Sequence, residues 1–231
     1  MKSVAFSIDG PKGNNQDRYL EPVESFRGWV AAVADGVGGR PGGEIAATEA
    51  ITAAKDSASD LTWDGAKIFA AACQRIRGAE AHENKEQMAT TMSLVRLVDD
   101  FAHVAHVGDS RIYHVRGGGI LTRTEDQTEV ASLLRDGVLS KAQAKSYPRR
   151  NVITSYLSSG AKFDLFSSRF AVEPGDNIVL LTDGAYDIIK KAHIVQELQQ
   201  SSSLEEAAER FRQRLLLSGV KDDSTLVIVQ I

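Results

Sequence analysis

The chain of 231 residues contains a single cysteine, Cys73. An intramolecular disulfide is therefore excluded, and the composition suits a reducing compartment, so a cytoplasmic location is expected. No apolar run approaches the roughly 18 residues that a membrane helix needs, so no membrane role is expected. The N-terminal residues turn polar at Asp9, too early for the apolar core of a signal peptide. Lys and Arg form no cluster, and 27 of them stand against 31 Asp and Glu, which excludes nucleic acid as a main partner. Low-complexity tracts, long linkers and fixed-period repeats are absent too, so one domain over residues 1–231 is expected.

What is present suffices for a packed core: 42% of residues are hydrophobic and 25% charged. Residues 29–34, 92–97, 101–107, 112–115 and 178–181 read as strands that run into turns. The turns are Asp35-Gly36, Asp99-Asp100, Gly108-Asp109, Gly117-Gly118-Gly119 and Thr182-Asp183-Gly184. The triple glycine signals a hairpin. Residues 225–231 read as a last strand behind Asp222-Asp223. Helical spacing appears over 44–58, 64–83 and 204–217. In the last of these Leu204, Ala207, Ala208, Phe211 and Leu215 share one face. Ser201 to Ser203 offer it N-caps. Strand pairs with short turns favour antiparallel sheets covered by helices, an α+β class.

The aspartates carry the functional signal. Asp35, Asp109 and Asp183 each close an apolar strand beside a glycine, whereas Asp222 opens one. In an antiparallel sheet the start of one strand lies beside the end of its neighbour, so Asp222 can stand next to Asp183 or Asp35. One Asp-Gly is ordinary turn chemistry. Several carboxylates gathered at one sheet edge repel one another unless cations neutralise them. An all-oxygen donor set, with no Cys/His cluster, favours Mg²⁺ or Mn²⁺ over zinc.

Six segments, in order, resemble the protein phosphatase 2C (metal-dependent protein phosphatase) family in its short bacterial form. They are residues 10–17 (Gly-Pro-Lys-Gly-Asn-Asn-Gln-Asp), 33–39 (Val-Ala-Asp-Gly-Val-Gly-Gly) and 89–91 (Ala-Thr-Thr). The others are 107–111 (Val-Gly-Asp-Ser-Arg), 180–187 (Leu-Leu-Thr-Asp-Gly-Ala-Tyr-Asp) and 222–225 (Asp-Asp-Ser-Thr). Residues from about 124 to 160 resemble the family's flap. There a leucine-rich helix (Val130, Leu133, Leu134), a turn at Gly137 and a short second helix precede Arg149-Arg150-Asn151-Val152-Ile153-Thr154. The resemblance implies a four-layer α-β-β-α sandwich, two antiparallel sheets face to face with helices outside.

It also implies a two-metal hydrolysis of phosphoserine and phosphothreonine on proteins, opposing Ser/Thr kinases. Asp35 is then expected to bridge two Mn²⁺ or Mg²⁺ ions, with the Gly36 carbonyl on one of them and Asp183 and Asp222 completing the second site. Asp17 is expected to hold a metal or its waters, and Asp109, helped by Asp187, a third ion. The bland alternative for Asp109 is a turn cap paired with Arg111.

Lys12 falls where the family usually has an arginine on the substrate phosphate, and a lysine offers a point charge in place of a planar fork. Arg18 and Arg40 are the nearby alternatives for that task. Ala89 replaces a usual glycine, a departure expected to shift the local backbone. Val37 stands where some relatives have a histidine. The five histidines form no ligand motif, and Cys73 sits at an apolar helical spacing that implies buried packing. Two other functions compete: a catalytically inactive phosphoprotein-binding regulator on the same fold, and a hydrolase of small phosphate esters. A deep enclosed pocket would favour the second of these.

Overall fold

The computed structural model describes residues 1–38 and 40–231; Gly39, the last residue of the second motif, lies outside the described residues. The chain opens with three strands, β1 (Lys2–Ile8), β2 (Asp17–Ser25) and β3 (Gly28–Asp35). Two helices follow, α1 (Gly43–Asp56) and α2 (Gly65–Glu83). A run of strands comes next: β4 (Ala89–Thr90), β5 (Met92–Val98), β6 (Phe101–Val107), β7 (Arg111–Arg116) and β8 (Gly119–Thr122). Two short helices, α3 (Glu129–Arg135) and α4 (Lys141–Lys145), lead to β9 (Leu157–Ser158), β10 (Phe166–Ala171) and β11 (Asn177–Leu181). The chain closes with α5 (Asp183–Ile188), α6 (Lys191–Gln200), α7 (Leu204–Ser218) and β12 (Ser224–Gln230).

Ten strands form two five-stranded sheets, ordered β1-β12-β11-β7-β8 and β10-β6-β5-β3-β2, and β4 pairs with β9 in a small third sheet, with every pairing antiparallel. The inner faces of the two sheets meet through Val33, Val95, Val104, Ile112, Leu180 and Val227, among others. The outer face of one packs on α1 and α2 through Ala46, Ala50, Phe69 and Ile76. The outer face of the other packs on α5 to α7 through Tyr186, Ile194, Phe211 and Leu215. This is the expected α+β sandwich of four layers. Strands buried on both faces read as unbroken apolar runs, which is why residues 30–34 and 178–181 were legible.

The periodic helices fall where their spacing places them, and Ser203 caps α7 by accepting the Glu206 N–H at 3.2 Å. β1, β2 and β10 carry half-exposed, mixed patterns, and β2 is broken by an irregularity between Leu20 and Val23. Asp183 closes no strand in the strict sense: Thr182 ends the sheet and Asp183 is the first residue of α5. Cys73 is half-buried against the α1–α2 cluster rather than enclosed. Among the described residues no helix is long and apolar enough to cross a membrane.

Close approach, rather than backbone angle, dictates glycine at 36. A Cβ there would lie 2.8 Å from Gly43 Cα and closer still to the Gly43 carbonyl. Only a bare backbone lets the end of β3 abut the start of α1. Gly36→Ala is therefore expected to push α1 from the sheet, with a loss of about 1–3 kcal/mol in urea unfolding. An unchanged urea midpoint would show that the helix start yields freely.

Candidate active site

The connections at one end of the sandwich bring the acidic motifs together. Asp35 ends β3 in one sheet. Asp183 follows β11 and Asp222 precedes β12 in the other. Asp109 lies in the turn that passes from β6 to β7, and so from sheet to sheet. Asp17 begins β2 directly opposite Asp35 in the β2–β3 register. Asp35, Asp109, Asp183 and Asp222 line one open cleft of about 430 Å³, with Gly36 on its wall. Asp187, one turn into α5, faces an adjoining hollow that Asp109 and Asp183 also line.

The surrounding hydrogen bonds fix the backbone of these residues and leave carboxylate oxygens free. Asp35 N–H donates to Thr91 Oγ1 at 3.1 Å, and Thr90 Oγ1 donates to the Asp35 carbonyl at 2.9 Å. Thr182 Oγ1 donates to Asp17 Oδ2 at 2.7 Å. Among the described residues the other Asp17 oxygen, Oδ1, is buried without a partner, and so is Asp109 Oδ1. Lone pairs left bare in this way are costly unless a cation or its water takes them. Asp223 ties the first motif to the last: its Oδ1 accepts Gly10 N–H and its Oδ2 accepts Gln16 N–H, each at 2.7 Å. The charge-assisted pair holds the loop that carries Lys12 over the cleft. Gly184 permits the same closure, since a Cβ there would meet Ser224 Oγ at 2.8 Å and the Asp222 carbonyl at 3.0 Å.

Electrostatic crowding follows. Burial, then the charges of Asp17, Asp183, Asp109 and Asp222, hold the Asp35 carboxyl well above its ordinary range. Burial also pushes Asp17 up to about 7, Asp109 to about 8 and Asp183 to about 6. Neighbouring aspartates add to each shift. These are the shifts of a cluster whose negative charge calls for positive charge beside it.

Among the described residues no three His, Cys, Asp or Glu side chains close a cage around one point. Magnesium-like ions fit such a site, because they keep several waters and take only one or two carboxylates each. The bare lone pairs of Asp17 and Asp109, and the crowding about Asp35, agree with that donor set.

Arg111 does not pair with Asp109. Its guanidinium grips Asp126 at 2.9 and 2.5 Å and lies 3.7 Å above the Tyr186 ring. Arg18 is spent on the Asn15 and Asp17 carbonyls and on Thr48. Lys12 does border the cleft, mostly exposed, with Nζ 3.9 Å from Asp222 Oδ1. Ala89 causes no visible distortion: it is buried in β4, pairs with Ser158, and its carbonyl accepts Val37 N–H at 2.9 Å. His106 is a buried neutral group, pushed down to about 4 by burial, between Ser93 Oγ and the Glu125 carbonyl. The contributions of Asp223 and Thr182 went unread in the sequence, although Asp-Asp-Ser-Thr and Leu-Leu-Thr-Asp-Gly contained them.

Residues 12–217 match the family model described as Protein phosphatase 2C. The chain belongs to the protein phosphatase 2C family. A Streptococcus pyogenes protein described as protein phosphatase 2C-type is 30% identical over 236 residues, 98% of this chain and 96% of that one. The solved S. agalactiae serine/threonine phosphatase shares 26% identity with a TM-score of 0.87, covering 100% of this chain and 99% of its own. The catalytic domain of the serine/threonine protein phosphatase PstP, solved in complex with two manganese ions, shares 26% identity with a TM-score of 0.83, over 99% and 97% of the two chains.

The crowded carboxylates set a pH dependence for the metal-free protein. Their folded pKa values lie above the unfolded value of 3.8, so the folded state binds more protons and its stability falls as pH rises toward them. Below pH 6.5 the depressed His106 acts in the opposite sense, because the unfolded histidine then takes the proton. The clean window is therefore about pH 6.5 to 8.5. There, in excess EDTA, the unfolding temperature should fall with pH, at about 1.4 kcal/mol per pH unit for each proton retained. Asp109→Asn should flatten the decline. A flat or rising curve for the parent protein would contradict the crowding.

Proposed function

We propose that this protein removes phosphate from phosphoserine and phosphothreonine side chains of other proteins, using Mn²⁺ or Mg²⁺ held by its aspartates. The observation that carries the reading is the convergence of Asp35, Asp183 and Asp222 from two sheets on one open cleft, beside the bare lone pairs of Asp17 and Asp109. In this reading Asp35, the Gly36 carbonyl, Asp183 and Asp222 would hold the ions, Asp17 would hold an ion or its waters, and Asp109 with Asp187 would hold a third. Bound cations supply an acidified water and positive charge against the phosphoryl oxygens.

The chain's own residues do the rest. Thr182 and Thr90–Thr91 keep the carboxylates at fixed positions, so no reorganisation is needed as charge moves. Lys12 draws the phosphate toward the ion side of the cleft. Asn151, Val152 and Ile153 of the flap also border the cleft, an open trough suited to a side chain presented by a protein surface. An open trough argues against a small-ester specialist. The full set of aspartates argues against an inactive regulator.

One catalytic domain spans residues 1–231, with residues 124–160 as a flap subregion beside the cleft. It is pinned at its base by Gln127, which exchanges backbone hydrogen bonds with Gly108 and Thr154. A cytoplasmic place and a Ser/Thr kinase as opposing partner complete the proposal.

Phosphate release from a phosphothreonine peptide should require added Mn²⁺ or Mg²⁺ and vanish with EDTA. Asp35→Asn should abolish it, because that carboxylate serves both central positions. Turnover by exhaustively chelated protein would refute the metal assignment. Lys12→Ala should lower kcat/KM by roughly ten- to a hundred-fold if the ammonium contacts phosphate, the worth of one charge-assisted hydrogen bond. Unchanged kinetics would make Lys12 a solvated surface group.

A further inference from the structure

The cleft has a second cation whose place is set by the flap side. Among the described residues that line it, Lys12 and Arg40 are the only ones with a positive side chain. Arg40 lies in the connection between β3 and α1. Its Nη2 donates to the Tyr156 hydroxyl at 2.9 Å, and its guanidinium carbon stands 4.5 Å from the centroid of the same ring. The ring face and the hydroxyl cannot both be satisfied by a freely rotating side chain. One rotamer is selected, and its cost in side-chain entropy is met before any ligand arrives.

Tyr156 is itself held firmly. It immediately precedes β9, and β9 pairs with β4 through Thr90↔Leu157 and Ala89↔Ser158. The same two β4 residues hold the end of β3: the Thr90 hydroxyl donates to the Asp35 carbonyl, and the Ala89 carbonyl accepts Val37 N–H. The backbone that carries Asp35 and the residue that aims Arg40 are thus joined through one small sheet. Among the described residues the other Arg40 donors, Nε and Nη1, make no hydrogen bond within the protein, while the guanidinium borders a trough crowded with carboxylates.

We propose that Arg40, aimed by Tyr156, is the planar cation that grips the phosphoryl group of the substrate in the cleft that Lys12 also borders. The assignment rests on the phosphatase reading above and names the group that supplies its phosphate specificity. A guanidinium fork can donate to two phosphoryl oxygens at once, which the ammonium of Lys12 cannot do with fixed geometry. Arg40 is the contacting residue and Tyr156 its positioning residue.

The test uses the full chain with Mn²⁺, a phosphothreonine peptide and p-nitrophenyl phosphate. Arg40→Ala should lower kcat/KM by roughly 10- to 100-fold on both substrates, mainly through KM, because the lost contact is to the phosphate they share. Arg40→Lys should recover part of the loss. Tyr156→Phe keeps the ring and loses the hydroxyl, so a smaller rise in KM, about two- to tenfold, is expected with kcat little moved. Calorimetric titration with inorganic phosphate should show affinity weakened in Arg40→Ala by a comparable factor.

A loss confined to the peptide would overturn the proposal, since Arg40 would then read the polypeptide and not the phosphate. Equal phosphate affinity in parent and Arg40→Ala would overturn it as well. If the parent protein turned over neither substrate, the phosphatase reading would fall. The phosphate titration would still decide the role of Arg40. Should Arg40→Ala unfold, the Arg40→Lys and Tyr156→Phe pair decides on KM and phosphate affinity alone.

Discussion

Mutual repulsion among Asp17, Asp35, Asp109, Asp183 and Asp222 is the constraint around which the rest of the molecule is arranged. Burial raises the proton affinity of Asp17, Asp35, Asp109 and Asp183, and neighbouring aspartates add to each shift. A chain seeking only stability would not collect them. The fold holds them together because each is carried by a different rigid element, and the elements are locked by a core that does not involve the aspartates. The inter-sheet layer of Val33, Val104, Ile112, Leu180 and Val227 sets the separation of the two sheets. That separation in turn sets how closely Asp35 and Asp183 approach. Stability is generated in the apolar layers and spent at the sheet edge.

A second set of polar residues converts this enforced proximity into a defined geometry. Thr182 touches both sheets' business at once: its hydroxyl donates to Asp17 and accepts the Thr225 N–H at 2.9 Å. Asp223 stitches the β1–β2 loop to the entrance of β12 through two backbone donors. Thr182 is buried behind the carboxylates, and Asp223 borders the cleft with both of its oxygens already taken by backbone N–H groups. Their work is to decide which carboxylate oxygens stay unpaired, and an unpaired oxygen in a fixed direction is what a hydrated divalent ion recognises.

The legible parts of the sequence were those in which one physical demand dominated. Strands buried on both faces announce themselves as apolar runs, and aspartates at their ends stand out because each directly adjoins an apolar run. Residues 204–217 were legible because a helix on a sheet needs one apolar stripe, and Leu204, Ala207, Phe211 and Leu215 supply it. β1, β2 and β10 mix exposed with half-buried positions and so lack a clean period. α5 is too short for periodicity to register, and it hid Asp183 behind a strand ending. In the site, the aspartates were visible, whereas partnerships were not. Arg111 sits two residues from Asp109 yet pairs with Asp126, which the chain brings alongside it only after the β7–β8 hairpin. The Arg40–Tyr156 contact spans 116 residues and depends on β4 and β9, two-residue strands that no pattern reveals.

The lysine at position 12 acquires meaning from this distribution of charge. A strongly hydrated ammonium on a flexible stem, mostly exposed and 3.9 Å from Asp222, is a good attractor for an incoming dianion and a poor template for its orientation. Orientation requires a group whose own freedom has already been removed. Arg40 meets that requirement through stacking and a hydrogen bond on Tyr156, and it does so from the wall that the flap approaches. On the proposed reading, attraction and orientation are divided between two cations of the same cleft. A consequence is that any movement of residues 150–156 relative to β4 would alter phosphate orientation before it altered phosphate attraction. On the proposed reading, the position of the flap and the alignment of phosphate at the cleft are therefore coupled.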